Sequence, residues 1–128
     1  MNTFSEGCPI EGKRLAVKCA RLLDDLKAEQ IVVLDLRKLT DVTDFFVIAS
    51  AQSQRQMRST ALEIIEQAGA LTGHAPRVEG LTESLWILID LIDVVIHLFL
   101  PAQREYYDLE ILWGDAPKVN WKRARSSP

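Results

Sequence analysis

Between Leu85 and Leu100 apolar residues recur with period two on both sides of a break at Asp90–Asp93, which predicts a β-hairpin. Leu85, Ile87, Ile89, Val94, Ile96, Leu98 and Leu100 share one face, wholly aliphatic and assigned to the core. The other face carries Trp86, Leu88, Asp90, Asp93, Val95, His97 and Phe99. A strand face turned to water is polar. This one holds two aromatic rings, two aliphatics and a histidine, so either helices of the chain or another protein must cover it. A two-residue turn at Leu91–Ile92 would set Trp86 opposite His97 and Leu88 opposite Val95. It would also put β-branched Ile92 at a corner where positive φ favours Asn or Gly. The alternatives are a longer turn or burial of these residues by a partner.

The remaining elements follow from the same periodicities. Leu15, Cys19, Leu22, Leu23 and Leu26 fall at helical spacing and predict a helix over Glu11–Lys27. Ile31–Leu36 is near-continuously apolar and reads as a central strand, and Phe45–Ser50 as a second buried strand. Ser53 followed by Gln56 has the spacing of a capping box. It opens a helix with Met57, Ala61, Ile64, Ile65 and Ala68 as its core stripe, ending near Gly73. Pro76–Glu79 suggests a short third strand. Beyond the hairpin, Tyr106, Leu109 and Trp113 mark Ala102–Trp113 as helical in part. The order predicts a mixed sheet of about five strands packed against helices, α/β or α+β in class.

The chain has 128 residues, a net charge of −3 and a globular composition. It is expected to form one domain over 11–117, with a flexible leader at 1–10 and a basic flexible tail at 118–128. No apolar run is long enough to span a bilayer, and the N-terminus lacks the basic start and apolar centre of a signal peptide, so a cytoplasmic or organelle-matrix location is expected. Cys8 and Cys19 are too few for a disulfide framework or a metal cluster. Lys118, Lys122, Arg123 and Arg125 concentrate positive charge at the end; without them 11 cations face 18 acids. An acidic body is poorly suited to nucleic acid and well suited to steering a basic protein. The tail offers a minor contact for RNA, although a solvated end is the preferred reading.

Candidate chemistry is sparse. Ser50 or Ser53, His97 and Asp90 supply the residue types of a hydrolase triad without a Gly-x-Ser-x-Gly elbow. Asp90 and Asp93 loosely match the carboxylate pairs that hold Mg²⁺ in nucleotidyl transfer. Such pairs usually stand two apart on one strand, whereas these stand three apart across a turn. No phosphate-cradling glycine loop is present, and no metal or cofactor is expected. Arg55 and Arg58 in the first turns of the second helix suit an anion, but the preferred reading is that both are solvated.

Six strings in order are familiar: Leu39-Thr-Asp-Val-Thr-Asp-Phe-Phe-Val-Ile-Ala-Ser, Ser53-x-Arg-Gln-x-Arg, Val78-Glu-Gly-Leu, Trp86-Ile-Leu-Ile-Asp, Asp93-Val-Val-Ile-His-Leu-Phe and Arg104-Glu-Tyr-Tyr-Asp-Leu-Glu-x-Leu-Trp. Together they resemble the ribosomal silencing factor (RsfS/Iojap) family over nearly the whole domain. The resemblance implies a mixed α/β domain similar to nucleotidyltransferases but without that activity. It implies a factor that binds the fourteenth protein of the large ribosomal subunit, blocks subunit joining, lowers translation when nutrients are scarce, and can form a homodimer. The chain departs from the family's pattern at Leu91–Ile92, where a glycine-containing pair is usual, and at Leu85, where a polar or basic residue is common.

The mechanism so implied is steric. Its docking face is expected at Trp86, Leu88, Asp90, Asp93, Val95, His97, Phe99 and Tyr107. The aromatic rings form the centre, and Asp90, Asp93 and Glu105 an acidic rim. Tyr106 and Trp113 either extend the patch or pack beneath it. Two other readings remain open at this level: a small Mg²⁺-dependent nucleotidyltransferase using Asp90 and Asp93, and a face that serves only as a homodimer seam.

Overall fold

A computed structural model describes residues 11–107 and 113–123. Its elements are α1 (Gly12–Asp25), β1 (Glu29–Asp35), β2 (Phe45–Ser50), α2 (Gln54–Thr72), β3 (Arg77–Glu79), β4 (Trp86–Asp90), β5 (Val94–Phe99) and α3 (Pro101–Tyr107). The leader at 1–10 lies outside the described residues, as does the stretch Asp108–Leu112 of the last predicted helix.

Local chemistry sets the helix ends. Ser53 Oγ accepts from the Gln56 N–H at 3.1 Å, and α2 stops at Gly73, whose φ of +83° suits only glycine readily. The Gln56 side chain reaches back one residue further than the pattern predicts, accepting from the Gln52 N–H at 2.8 Å. α1 closes with the Ala28 N–H on Leu23 O and the Lys27 N–H on Asp24 O, Lys27 taking the left-handed position at φ +72°.

The strands form one sheet in the order β1-β2-β5-β4-β3, with β2 and β5 parallel and all other neighbours antiparallel. The fold is α+β. Helices α1 and α2 cover one face, where Leu15, Leu23, Val47, Met57, Ile64, Ile87, Ile89, Ile96 and Leu98 make the main core. On the other face Leu34, Leu36, Ile48, Phe99 and Ala116 form a second, smaller cluster.

Four expectations need correction. β1 is an edge strand rather than a central one. Its continuous apolar run is explained differently: Val33 faces the main core, Leu34 faces the smaller cluster, and the outer edge is covered as well. That cover is the start of the predicted free tail. The Asp35 N–H donates to Pro117 O and the Val119 N–H to Val33 O, both at 2.8 Å. Trp121 Nε1–H donates to Ile31 O, and Arg123 pairs with Asp25 at 3.0 Å. The segment is thus held as far as Arg123, and residues 124–128 lie outside the description.

The hairpin register is also shifted by two residues. Trp86 stands opposite Phe99 and Leu88 opposite His97, because the corner lies at Ile92–Asp93, with Leu91 buried just past the end of β4 and its N–H donating to Val94 O at 2.8 Å. A slip of two leaves every side chain on its own face, so hydrophobic patterning does not distinguish the two registers. Lastly, Leu85 is exposed rather than core.

Ile92 still occupies a corner with φ +79°. The Asp93 N–H donates to Leu91 O at 3.1 Å, which makes a γ-turn centred on Ile92. A β-branched residue there costs on the order of 1–3 kcal/mol. The surroundings impose it: the Ile92 N–H donates to Asp90 Oδ1 at 2.8 Å, and Ile92 O accepts from Thr43 Oγ1 at 3.1 Å.

Candidate docking site on the aromatic face

β5 and β4 bring Phe99, His97, Trp86 and Leu88 together, and β2 adds Phe46 from the parallel side. Trp86 lies tilted over Phe99 with centroids 4.9 Å apart. His97 stacks near-parallel to Phe99 at 6.2 Å and meets the Phe46 ring edge-on at 4.4 Å. Trp113 stands perpendicular to Phe46 at 6.0 Å, so it packs on the patch rather than apart from it. Phe46 was missed in the sequence reading, since nothing in the pattern pairs β2 with β5.

The cluster has a closed floor and a half-open edge. Phe99, expected to present its ring to a partner, is fully buried, and Val95 and His97 lie beneath the surface with it. Trp86, Leu88 and Asp90 are half-buried, and Glu105 is exposed. Tyr107 is the last residue of α3. From the same helix Arg104 reaches under the patch and donates from a guanidinium N–H to Ser50 Oγ at 3.0 Å. Helix α3 and the Trp113–Ala116 segment therefore roof part of this face, and the strip along β4 is what remains accessible.

His97 is held in one tautomer. Trp86 Nε1–H donates to its Nδ1 at 3.1 Å, so in the neutral ring the proton sits on Nε2. That Nε2 is buried without a hydrogen-bond partner among the described residues. Burial lowers the imidazole pKa from 6.5 to about 4. His97 is thus a neutral structural hinge for the Trp86 indole, and a surface partner would meet the indole rather than the imidazole.

Beside Trp86, a recess of about 230 Å³ is lined by Glu79, Gly80, Trp86 and Leu88. Gly80 has φ +82°, and a Cβ there would collide with the Trp86 carbonyl oxygen. Only glycine permits this close approach of the β3–β4 connection to the strip. The Val78-Glu-Gly-Leu string singled out earlier has its physical reason here.

The carboxylate pair does not converge. Asp90 shares the face of Trp86 and Leu88, and its Oδ1 is engaged by the turn. Asp93 leans instead toward the helix-covered side, its Cβ 3.5 Å from where a Cβ on Gly12 of α1 would stand. The expectation that both acids share one face is corrected accordingly. The triad residues are likewise separate: Ser50 is bound to Arg104, Ser53 to the α2 cap and His97 to Trp86. Among the described residues no group of three or more His, Cys, Asp or Glu is placed to hold a metal ion. Cys19 is free and buried, its thiol pushed up to about 12 by desolvation. Cys8 lies outside the described residues.

The structure is thus a small α+β domain with a half-open aromatic strip, in which the candidate catalytic residues Ser50, Ser53, Asp90, Asp93 and His97 do not converge. The family model described as "Ribosomal silencing factor during starvation" matches residues 9–128. A Halalkalibacterium halodurans protein named ribosomal silencing factor RsfS is 43% identical over 97 residues, covering 76% of this chain and 83% of the relative. The Bacillus subtilis protein of the same name is 43% identical over 98 residues, covering 77% and 83%. A Chromobacterium violaceum crystal structure superposes with a TM-score of 0.76 at 34% identity, over 82% of this chain and 88% of that one. The chain belongs to the ribosomal silencing factor family. Both curated relatives bear the name of a regulatory factor rather than of an enzyme.

Proposed function

We propose that this protein binds the large ribosomal subunit through its fourteenth protein and, by occupying that surface, blocks joining of the small subunit and lowers translation under nutrient limitation. Family membership and one structural observation support the reading. The observation is the Trp86–Leu88 strip, apolar and half-open, anchored from below by His97 and Phe99 and continued along β4 by Asp90. A ring as large as an indole buries about 150–250 Å², against about 800 Å² per partner in a standard interface. The strip therefore acts as a central anchor, with neighbouring polar residues completing the area. The net charge of −3 favours encounter with a basic protein.

Asp93, Val95, His97, Phe99 and Tyr107 are no longer equal members of the site: Val95, His97 and Phe99 support it from beneath. Contact of the tail with ribosomal RNA would fall to exposed Lys118 and Lys122, since Arg123 is paired with Asp25. Self-association through the same strip would compete with the ribosome. No described helix is long and apolar enough to cross a membrane, and the site of action we assign is the cytoplasm.

Leu88→Glu is the test. It leaves the Trp86–His97 hydrogen bond in place while putting a charge in the strip. Far-UV circular dichroism is expected to match the wild type, with affinity for purified large subunits in co-sedimentation falling at least tenfold. Wild-type co-sedimentation by a folded variant would overturn the assignment.

A further inference from the structure

Val42 and Ile92 are the two most exposed large aliphatics among the described residues, at 86% and 66%. The backbone brings their loops together at the end of the sheet where β2 and β5 begin. Thr43 Oγ1–H donates to Ile92 O, and the Asp44 and Phe45 N–H groups both donate to Asp93 O, at 3.1 and 3.0 Å. The tip so formed spans Leu39–Asp44 and Asp90–Asp93, with four aspartates (Asp41, Asp44, Asp90, Asp93) and no lysine or arginine. Lys38 and Arg37 lie just outside it, and Arg37 is engaged with Asp35 at 2.7 Å.

We infer that this tip is a second anchoring contact, in which Ile92 and Val42 enter an apolar recess on a basic protein surface. The inference rests on the proposed ribosomal docking and extends it from the Trp86–Leu88 strip round the end of β4. Three observations support it. Ile92 holds a strained backbone conformation that glycine would adopt freely, and its side chain gains little burial within the chain. Burial against a partner returns that cost. The Ile92 backbone is also tied down before binding, since both its N–H and C=O are bonded, so little conformational freedom is lost there on association. Finally, the charge selects the occupant. A second copy would set four aspartates against four, and nucleic acid would add phosphates to them, whereas lysine and arginine around an apolar recess are matched.

The experiment compares wild type, Ile92→Gly and Val42→Asn for thermal midpoint and for affinity to purified large subunits. Ile92→Gly is expected to melt higher, by on the order of 5 °C, and to bind about tenfold more weakly. Val42→Asn is expected to keep the wild-type midpoint and bind severalfold more weakly. Affinities within twofold of wild type for both variants would overturn the tip contact while leaving the strip standing. A lowered midpoint for Ile92→Gly would overturn it too, by showing that the side chain is held within the chain. A change in sedimentation coefficient of the free protein would replace the basic partner with a second copy. Failure of the wild type itself to co-sediment would remove the proposed function and the tip together.

Discussion

The two faces of one sheet have been finished in different ways. Beneath α1 and α2 the side chains are almost all aliphatic, and Ile87, Ile89, Ile96 and Leu98 have no exposed surface. Across the sheet, one residue away along the same strands, stand indole, imidazole and phenyl rings with a part-open edge and, among the described residues, one unpaired buried nitrogen. The first face is saturated: nothing more could be gained by covering it. The second is incomplete, and its remaining exposed area has the rigid aromatic character of an interface centre. On the proposed reading, stability and recognition fall to opposite sides of a layer one strand thick.

Substitutions can break that division. The largest effect is expected on the closed face: Leu98→Ala should lower stability by about 2–5 kcal/mol, read from urea denaturation, since the well-packed site collapses only partly round the void. Next comes the acid response of the aromatic face. The folded state keeps the His97 ring neutral, with a pKa near 4 in place of 6.5. Stability from this group is therefore complete above pH 6.5, declines below it, and is gone once the pH has fallen through 4. The loss amounts to about 3 kcal/mol. His97→Leu should flatten denaturation midpoints across that window, and an unchanged pH profile would refute the neutral, desolvated ring. The smallest effect is expected at the cap of α2. Ser53→Ala should cost about 1 kcal/mol and leave the proposed binding to large subunits untouched, because it acts only behind the closed face.

The sequence made some of this plain and hid the rest for identifiable reasons. α1, α2 and β2 were legible almost residue by residue, because helical spacing, a Ser cap and a C-terminal glycine are local signals. The two-faced hairpin was legible because alternation is local as well. The position of β1 was not: an apolar run reports that both faces are covered and says nothing about its neighbours. Nor was the hairpin register, since a slip of two residues conserves the pattern. Long-range partners were least visible. Nothing near Lys118 announces that it lies beside Leu34, and nothing near Phe99 announces that it ends under Trp86 and beside the α3 segment. The strain at Ile92, by contrast, was foreseeable from its branching alone, even though the corner moved.

The returning strip at Pro117–Val119 has a bearing on selectivity. An open edge of β1 would offer its backbone amides and carbonyls to any extended polypeptide, whatever its side chains. The Asp35 N–H and the Val33 and Ile31 carbonyls of that row are already engaged, and the opposite border is β3, a strand of three residues that offers little grip. Main-chain adhesion is thereby reduced on both flanks, and on the proposed reading a docking partner is selected by the chemistry of the side groups.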